Sequence, residues 1–194
     1  MIIGITGGIG SGKTFVCKMF QDFGVPVYNA DERAKFLMEN DTDLKQSLIN
    51  YFGEKIYSNS KLNRKLLGSI IFNDKKALTF INSVVHPAVE KDTKKWEEEH
   101  SDKKYLIKEA ALLFENGSYK KLDKTILVHA PEDERILRVM QRDHTTKEQV
   151  VSRINNQMSD LDKMEHADYI INNNGKNEIE KIVMKMNMLF NMGI

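Results

Sequence analysis

The chain has 194 residues, of which 41% are hydrophobic and 29% are charged, so it can bury the core of one soluble domain. It is neither collagen-like nor disordered, and its apolar stretches are far shorter than the roughly 18 residues of a membrane span. A single cysteine, Cys17, fits a reducing compartment. No basic leader precedes the first apolar run, so we expect a cytoplasmic protein without membrane attachment. The net charge of +1 disfavours a general nucleic-acid binder.

The N-terminal segment predicts a strand, a helix and a second strand. Residues 1–6 form a β-branched apolar run that is typical of a strand buried on both faces. A glycine-rich turn separates this run from helical spacing over 13–23, and a short second strand follows at 25–28. A strand–helix–strand unit of this kind pairs its strands in parallel, so the segment predicts an α/β fold.

The middle of the chain, from residue 31 to residue 100, shows helical patterns and no convincing strand. Asn73-Asp74 marks a helix start, and His86-Pro87 is expected to interrupt a helical stretch. The stretch 92–104 is dense in Lys and Glu, which is typical of a solvated helix face. This region predicts a helical insertion after the second strand.

Alternating strands and helices return in the C-terminal part of the chain. The predicted strands are 105–109, 124–128 and 169–171. The predicted helices are 132–142, 147–158 and 177–190. We find no internal repeat and no linker long enough to separate two independent domains. The whole pattern predicts a five-stranded parallel sheet flanked by helices on both faces, with a helical hairpin before the fifth strand.

Residues 7–14, here called the phosphate loop, match G-x-x-x-x-G-K-[ST] between a predicted strand and a predicted helix. Its glycines let successive backbone N–H groups converge on phosphate oxygens, and the helix adds its positive dipole end. Lys13 is predicted to reach the β- and γ-phosphates and Thr14 to place its hydroxyl on Mg²⁺. The residues predicted to bind the nucleotide are Gly8, Ile9, Gly10, Ser11, Gly12, Lys13, Thr14 and Phe15. A glycine-rich turn that matches by chance is the alternative, and the strand–helix context argues against it.

A phosphate loop alone does not separate a kinase from a GTPase switch or a motor. Asp31 follows the second predicted strand, at the sheet edge where ligands of parallel sheets bind. A carboxylate there would orient or deprotonate an acceptor hydroxyl and help to hold Mg²⁺. The alternative is that Asp31 caps the following helix, and the two roles are compatible.

Three arginines, Arg135, Arg138 and Arg142, lie along one side of a predicted helix, and Arg153 and Gln157 follow on the next. Arginine forks stabilise a transferring phosphoryl group and can be carried by a closing lid. Taken singly, Arg135 is expected to be a solvated surface residue. For Arg138 and Arg153 the functional and surface interpretations balance.

Three weaker features complete the set. His86 alone is more typical of a capping or packing residue than of a catalyst, and Cys17 is expected to be a buried, inert thiol. Residues 172–175 form a turn by composition, at an edge where their amides could border a nucleotide base. The five histidines and the cysteine show no metal-ligand spacing.

Taken in order, these motifs resemble the dephospho-coenzyme A kinase family over nearly all of the chain, from Ile3 to about Gly175. The matching pieces are residues 4–14, Asn29-Ala30-Asp31, Leu62-Asn63-Arg64, Val85-His86-Pro87, residues 112–115, residues 140–143, Arg153-Ile154 with Gln157, Ala167-Asp168 and residues 173–175. No piece after the phosphate loop is decisive alone, but the ordered set is highly specific.

The resemblance implies a P-loop kinase fold of three parts. They are a nucleotide-binding core over 1–31, 105–138 and 167–194, a helical acceptor-binding insertion over 32–104, and a lid over 139–166. It implies Mg²⁺-dependent transfer of the ATP γ-phosphate to the ribose 3′-hydroxyl of dephospho-coenzyme A, a small-molecule substrate. We expect a monomer or weak homo-oligomer.

The resemblance also implies roles for single residues. Asp31, Lys13, Arg138 and Arg142 match catalytic positions, and Thr14 matches a Mg²⁺-binding position. Arg64, His86 and Leu113 match the acceptor side. Asn173 and Gly175 match the nucleotide side.

Three positions depart from the family pattern. Asn29 replaces an aspartate, which removes one negative charge beside Asp31. Lys35 replaces an arginine, although Arg33 is near, and lysine cannot form a bidentate fork. Glu109-Ala110-Ala111 replaces Asp-x-Pro, which changes backbone shape near the acceptor. None of these removes a group that the chemistry requires.

Other functions stay open at this point. A kinase for another small acceptor, such as a nucleoside monophosphate, would differ in the insertion. A GTP-dependent switch lacks support, because the chain contains neither Asn-Lys-x-Asp nor Asp-x-x-Gly. A nucleic-acid-stimulated ATPase fits poorly with the near-neutral charge.

Overall fold

The structure is a computed structural model that describes residues 1–59, 61–175 and 178–194. Its strands are β1 (Ile2–Thr6), β2 (Val27–Asn29), β3 (Tyr57–Ser58), β4 (Lys61–Leu62), β5 (Leu106–Glu109), β6 (Lys124–His129) and β7 (Tyr169–Asn172). Its helices are α1 (Lys13–Asp22), α2 (Ala30–Asn40), α3 (Thr42–Phe52), α4 (Arg64–Asn73), α5 (Lys75–Glu99), α6 (Glu132–Asp143), α7 (Lys147–Asn155), α8 (Asp160–His166) and α9 (Ile179–Asn191).

Five of the strands form one parallel sheet in the order β2-β5-β1-β6-β7, which confirms the predicted five-stranded sheet. β1 is the central strand. The next sheet strand along the chain, β2, lies on one side of it and β6 lies on the other. Ligands of open parallel sheets bind at such a reversal of strand order, so the loop that follows β1 is placed at the expected binding edge.

The chain divides into two compact units. The core unit comprises Met1–Asn29 and His100–Ile194 and contains the parallel sheet. Ile3 and Ile5 of β1 are fully buried, because the central strand is covered on both sides. α1 and α9 pack against each other, and each buries a phenylalanine, Phe20 and Phe190 respectively. Burial of each such side chain stabilises the fold by about 1.5–3 kcal/mol.

The insertion unit, Ala30–Glu99, has a separate hydrophobic cluster centred on the fully buried Leu48 and Ile56. Polar caps define its helix starts: Asp41 accepts from the Leu44 N–H at 2.8 Å before α3, and Asn63 caps α4. The prediction that this region holds no strand is wrong, because β3 and β4 form an antiparallel pair. Two residues on each strand are too few to produce an alternating pattern.

The predicted interruption at His86-Pro87 is also wrong, since α5 runs for 25 residues with Pro87 inside it. Proline removes one helical hydrogen bond and clashes with the preceding turn, at a cost of about 3 kcal/mol. The buried side chains Ala77, Ile81 and Val85 hold the helix against the insertion cluster and offset that cost.

The helical hairpin before the last strand contains one more helix than predicted. α7 ends at Asn155 instead of 158, and α8 follows, with the Ser159 hydroxyl accepting from the Asp162 N–H at 3.1 Å. The closing helix is present as α9. Asn177, where it was predicted to begin, lies outside the described residues.

Candidate active site

The phosphate loop joins the centre of the sheet to the N-terminus of α1. Gly12, directly before the helix, has a φ of 96°, in the left-handed region that favours glycine. A Cβ atom at Gly12 would also overlap the side-chain amide of Asn173, which donates to the Ser11 carbonyl oxygen at 2.8 Å. The glycine is therefore required both by backbone conformation and by the close approach of the residues after β7.

The loop also folds onto itself. The Ser11 N–H donates to the Gly8 carbonyl oxygen at 3.1 Å, and the Lys13 ammonium donates to the Gly7 carbonyl oxygen at 2.7 Å. Lys13 is the first residue of α1, so its ammonium group and the helix N-terminus belong to the same short segment. A positive charge and unsatisfied helical N–H groups together favour an anion.

Arg135 lies behind the phosphate loop, and the prediction that it is a surface residue is wrong, because it is only 4% exposed. Its Nη1 is 3.4 Å from the Asp160 Oδ1 atom, and a Cβ atom at Gly8 would overlap that Nη1. Asp160 in turn contacts His129 Nδ1 at 2.9 Å. A buried arginine needs such a carboxylate, since an unpaired charge is costly away from water.

Arg138 connects the phosphate loop to the turn after β7. It donates to the Asn173 carbonyl oxygen at 3.0 Å and to Glu134 at 2.7 Å, and its Nη1 lies 3.4 Å from the Gly10 carbonyl oxygen. Asn173 itself donates through its backbone N–H to the His129 carbonyl oxygen at 2.6 Å. The structure therefore brings Arg138 and Asn173, both predicted site residues, to the loop.

Arg142 and Arg153 share one carboxylate, that of Asp143. Arg142 Nε donates to Asp143 at 2.8 Å and Arg153 Nη1 at 2.9 Å. The hydrogen bond from Arg142 lowers the pKa of Asp143 and raises that of Arg142. Both arginines are more than half exposed, which leaves their forks accessible to solvent.

Glu109 ends β5, next to the strand that carries the phosphate loop, and sequence reasoning considered it only for backbone shape. It is 4% exposed, and its carboxylate accepts a hydrogen bond from the Asn29 side chain across the parallel pair. Burial, followed by the Glu109 charge, raises the pKa of Cys17 to about 12, whereas Lys13 lowers it. The available signal was an acidic residue closing an apolar strand beside the strand that carries the loop.

The remaining predicted residues of the core unit have varied surroundings. Leu113 is 3% exposed, and its side chain packs where a Cβ atom of Gly4 would lie. Gly175 has a φ of 70°, which suits a turn glycine. Phe15 is 52% exposed on α1.

The insertion unit holds the other predicted residues. Asp31 is exposed in the first turn of α2, which begins at Ala30, two residues earlier than the helix-cap alternative expected. Arg64 begins α4 and lies 3.4 Å from Glu39. His86 is exposed on α5.

Arg33, and not Lys35, forms a bidentate fork in the insertion unit. Its Nε and Nη2 donate to the two carboxylate oxygens of Asp92 at 2.8 and 2.5 Å. Lys35 pairs with Glu32 one turn away at 2.6 Å.

Within residues 1–59, 61–175 and 178–194 there is no group of three or more His, Cys, Asp or Glu side chains placed to hold a metal ion. The helices of that part of the chain include none that is both long enough and apolar enough to span a bilayer.

A parallel sheet with this strand order, with G-x-x-x-x-G-K-T between its central strand and α1, defines a P-loop kinase fold. The protein TT1252 from Thermus thermophilus has a similar structure, with a TM-score of 0.83 and 33% identity over 97% of this chain and 96% of that one.

Sequence comparison identifies the family within this class. The family model described as dephospho-CoA kinase matches residues 1–178. The dephospho-CoA kinase of Bacteroides fragilis is 34% identical over 184 residues, which cover 95% of this chain and 90% of the relative. That of Leptospira interrogans is 39% identical over 175 residues, 90% of this chain and 84% of the relative. The chain belongs to the dephospho-CoA kinase family and is a phosphotransferase enzyme.

Proposed function

We propose that this enzyme transfers the γ-phosphoryl group of ATP to the ribose 3′-hydroxyl of dephospho-coenzyme A, giving coenzyme A and ADP. The observation that carries the proposal is a complete phosphate loop on the central strand of the sheet, in a chain that matches the dephospho-CoA kinase family over residues 1–178. The phosphate loop binds ATP through its backbone N–H groups and the Lys13 ammonium.

Mg²⁺ fits the residues present at this edge of the core unit. Glu109 supplies a buried carboxylate at the end of β5, and Thr14 supplies a hydroxyl in the first turn of α1. Oxygen ligands from one or two side chains, completed by phosphate and water, are what Mg²⁺ prefers. When bound, the ion neutralises charge on the β- and γ-phosphate oxygens.

The chain's own residues then act on the acceptor and on the transferred group. Asp31 orients the 3′-hydroxyl and accepts its proton as the oxygen attacks phosphorus in line, without a phosphoenzyme. Arg138 and Arg142 neutralise charge on the migrating phosphoryl group. The lid, 139–166, closes to exclude water, since water in the site would turn the kinase into an ATPase.

The acceptor is taken by the helical insertion, 32–104, with Arg64 and His86, and by Leu113 of the core unit. The Arg64 side chain is 54% exposed, which suits recognition of an anionic acceptor. The proposal includes a cytoplasmic monomer or weak homo-oligomer that acts on a small molecule and binds neither nucleic acid nor membrane.

A coupled assay of ADP release in the presence of ATP and Mg²⁺ tests the proposal. We expect ADP release with dephospho-coenzyme A and none above background with AMP, adenosine or no acceptor. The product should carry its new phosphate on the ribose 3′ position, which phosphorus NMR distinguishes from other positions. Release with AMP, or equal release without an acceptor, would contradict the assigned acceptor.

A further inference from the structure

The peptide group between Gly8 and Ile9 is held from both sides. Its carbonyl oxygen, on Gly8, accepts from the Ser11 N–H at 3.1 Å and lies 3.5 Å from the Lys13 ammonium. Its N–H, on Ile9, donates to the side-chain oxygen of Gln157 at 2.9 Å. Because a trans peptide is planar, its N–H and C=O point in opposite directions, so a partner on one of them fixes the other.

Gln157 is itself held in place by the backbone of α7. Its own N–H donates to the Ile154 carbonyl oxygen at 2.9 Å, which ties it to the end of α7. Rotation of the Gly8–Ile9 peptide would break the contact with Gln157. The same rotation would turn the Gly8 carbonyl away from Ser11 and Lys13, the two groups that shape the anion-binding side of the loop.

A buried ion pair holds the backbone next to Gln157. The Met158 N–H donates to the Glu115 carboxylate at 3.2 Å, and Lys163 Nζ lies 3.0 Å from the same oxygen. Lys163 is fully buried. A lysine ammonium away from water is tolerated only beside a compensating charge, so this pair fixes the start of α8 relative to the loop after β5.

The pair leaves one of its buried polar atoms unsatisfied. Among the described residues, the second Glu115 oxygen has no hydrogen-bond partner, while Lys163 Nζ is paired with the first oxygen at 3.0 Å. Buried polar atoms left in this state cost stability, and an apolar pair of similar volume would fill the space without that cost. An apolar pair, however, would not supply the carboxylate oxygen that accepts a hydrogen bond from the Met158 N–H.

We propose that Gln157 is a positioning residue that locks the Gly8–Ile9 peptide of the phosphate loop, and that the Glu115–Lys163 pair holds Gln157 in place. The role lies within the proposed kinase function and concerns nucleotide binding. Gln157 acts on ATP through the loop backbone and the placement of Lys13, without contributing to the acceptor site.

The test compares Gln157→Met with Gln21→Met, because Gln21 is an exposed glutamine near the C-terminal end of α1, outside the phosphate loop and the lid. ATP affinity is measured by titration calorimetry without acceptor, and the melting temperature and the KM for dephospho-coenzyme A are measured alongside. Loss of one backbone hydrogen bond predicts about five- to tenfold weaker ATP binding for Gln157→Met. The acceptor KM should stay within about twofold, and Gln21→Met should match the parent in all three readouts.

A second pair of variants separates positioning from stability. Lys163→Met strands a buried carboxylate and is expected to lower the melting temperature and weaken ATP binding. Adding Glu115→Leu removes both charges, which should restore the melting temperature but not the ATP affinity, because the Met158 N–H then loses its acceptor.

The proposal is overturned if Gln157→Met binds ATP as tightly as Gln21→Met, or if the double variant recovers ATP affinity together with stability. Calorimetry needs no turnover. A parent enzyme that binds ATP but fails to phosphorylate dephospho-coenzyme A would therefore refute the assigned function. The positioning role of Gln157 could still be tested in that enzyme by its ATP affinity.

Discussion

In the core unit, two polar side chains beside the phosphate loop are buried, and each contacts the backbone or another charge: Arg135 pairs with Asp160 and Asn173 donates to Ser11. In the insertion unit, the predicted functional side chains Asp31, Arg64 and His86 are exposed, and the buried positions are almost all apolar. Fixed polar groups suit the binding of a triphosphate. Exposed side chains suit the proposed binding of the acceptor.

The two units therefore respond to mutation differently. At Gly8, in the phosphate loop, an added methyl group would meet the Arg135 guanidinium, which lies beside Asp160. At Gly68, in the insertion unit, an added methyl group would meet nothing within 4 Å. The same substitution, glycine to alanine, is therefore expected to reduce activity at position 8 and to increase stability at position 68.

The largest effect is expected from Gly8→Ala. A Cβ atom there would overlap the guanidinium of the buried Arg135, so either the guanidinium must leave its place beside Asp160 or the loop must shift. Displacing the loop's anion-binding amides should lower kcat/KM for ATP by about 10³-fold, as loss of preorganised donors does in other enzymes. Steady-state kinetics measures it, and a decrease below tenfold would contradict the tight packing of Arg135 behind the loop.

Asp31→Asn is expected to come next, with kcat lowered by about 10²-fold. The amide retains the size of the carboxylate but cannot accept the proton of the acceptor hydroxyl. The ATP dissociation constant should change little. Glu32→Gln, in the same helical turn, is the control, because its exposed pair with Lys35 contributes little. Equal losses in kcat and ATP binding for Asp31→Asn would argue against the proton-accepting role.

Gly68→Ala, in the insertion unit, should stabilise the protein slightly. Gly68 lies inside α4, and a Cβ atom there meets nothing within 4 Å. Alanine should raise the free energy of unfolding by about 0.5–1 kcal/mol, since glycine is the more costly residue inside a helix. Urea denaturation gives the value, and destabilisation would show that the helix needs glycine there.

Ionisation of the Cys17 thiol is expected to have the smallest effect, because it hardly changes stability near neutral pH. Burial and then Glu109 raise the pKa of its thiol from 9.0 to about 12, so the thiolate is scarce in the folded protein. The folded state holds this proton more tightly than the unfolded state. The resulting stability is fully present below pH 9.0 and is lost as the pH rises toward about 12.

Iodoacetamide labelling, followed by mass spectrometry, checks this prediction. Native protein should label far more slowly than urea-denatured protein. Rapid labelling of the native protein would mean that the thiol is reachable and ionised.

Features encoded in contiguous residues could be predicted from the sequence. The phosphate loop is one uninterrupted motif, and each sheet strand is a short apolar run between turns. The order of the strands in the sheet was not predicted, because it depends on pairings between segments that are far apart in the chain.

The errors have physical causes. Arg135 carries a charge that hydrophobic patterns assign to the surface, and its burial is made tolerable by Asp160, on a different helix, with Glu132 farther away at 3.9 Å. Lys163 and Glu115 pair across distant segments in the same way. α5 continues through Pro87 because tertiary packing outweighs local preference. Arg64 and His86 stay predictions of acceptor binding from the family resemblance, because single exposed side chains carry no periodic signal.

The contact between Gly8 and the Arg135 guanidinium has an evolutionary consequence. The two positions compete for one volume, so a lineage that places a side chain at position 8 must shorten residue 135 first or at the same time. Across homologous sequences the two positions should covary, with arginine at 135 confined to chains that have glycine at 8.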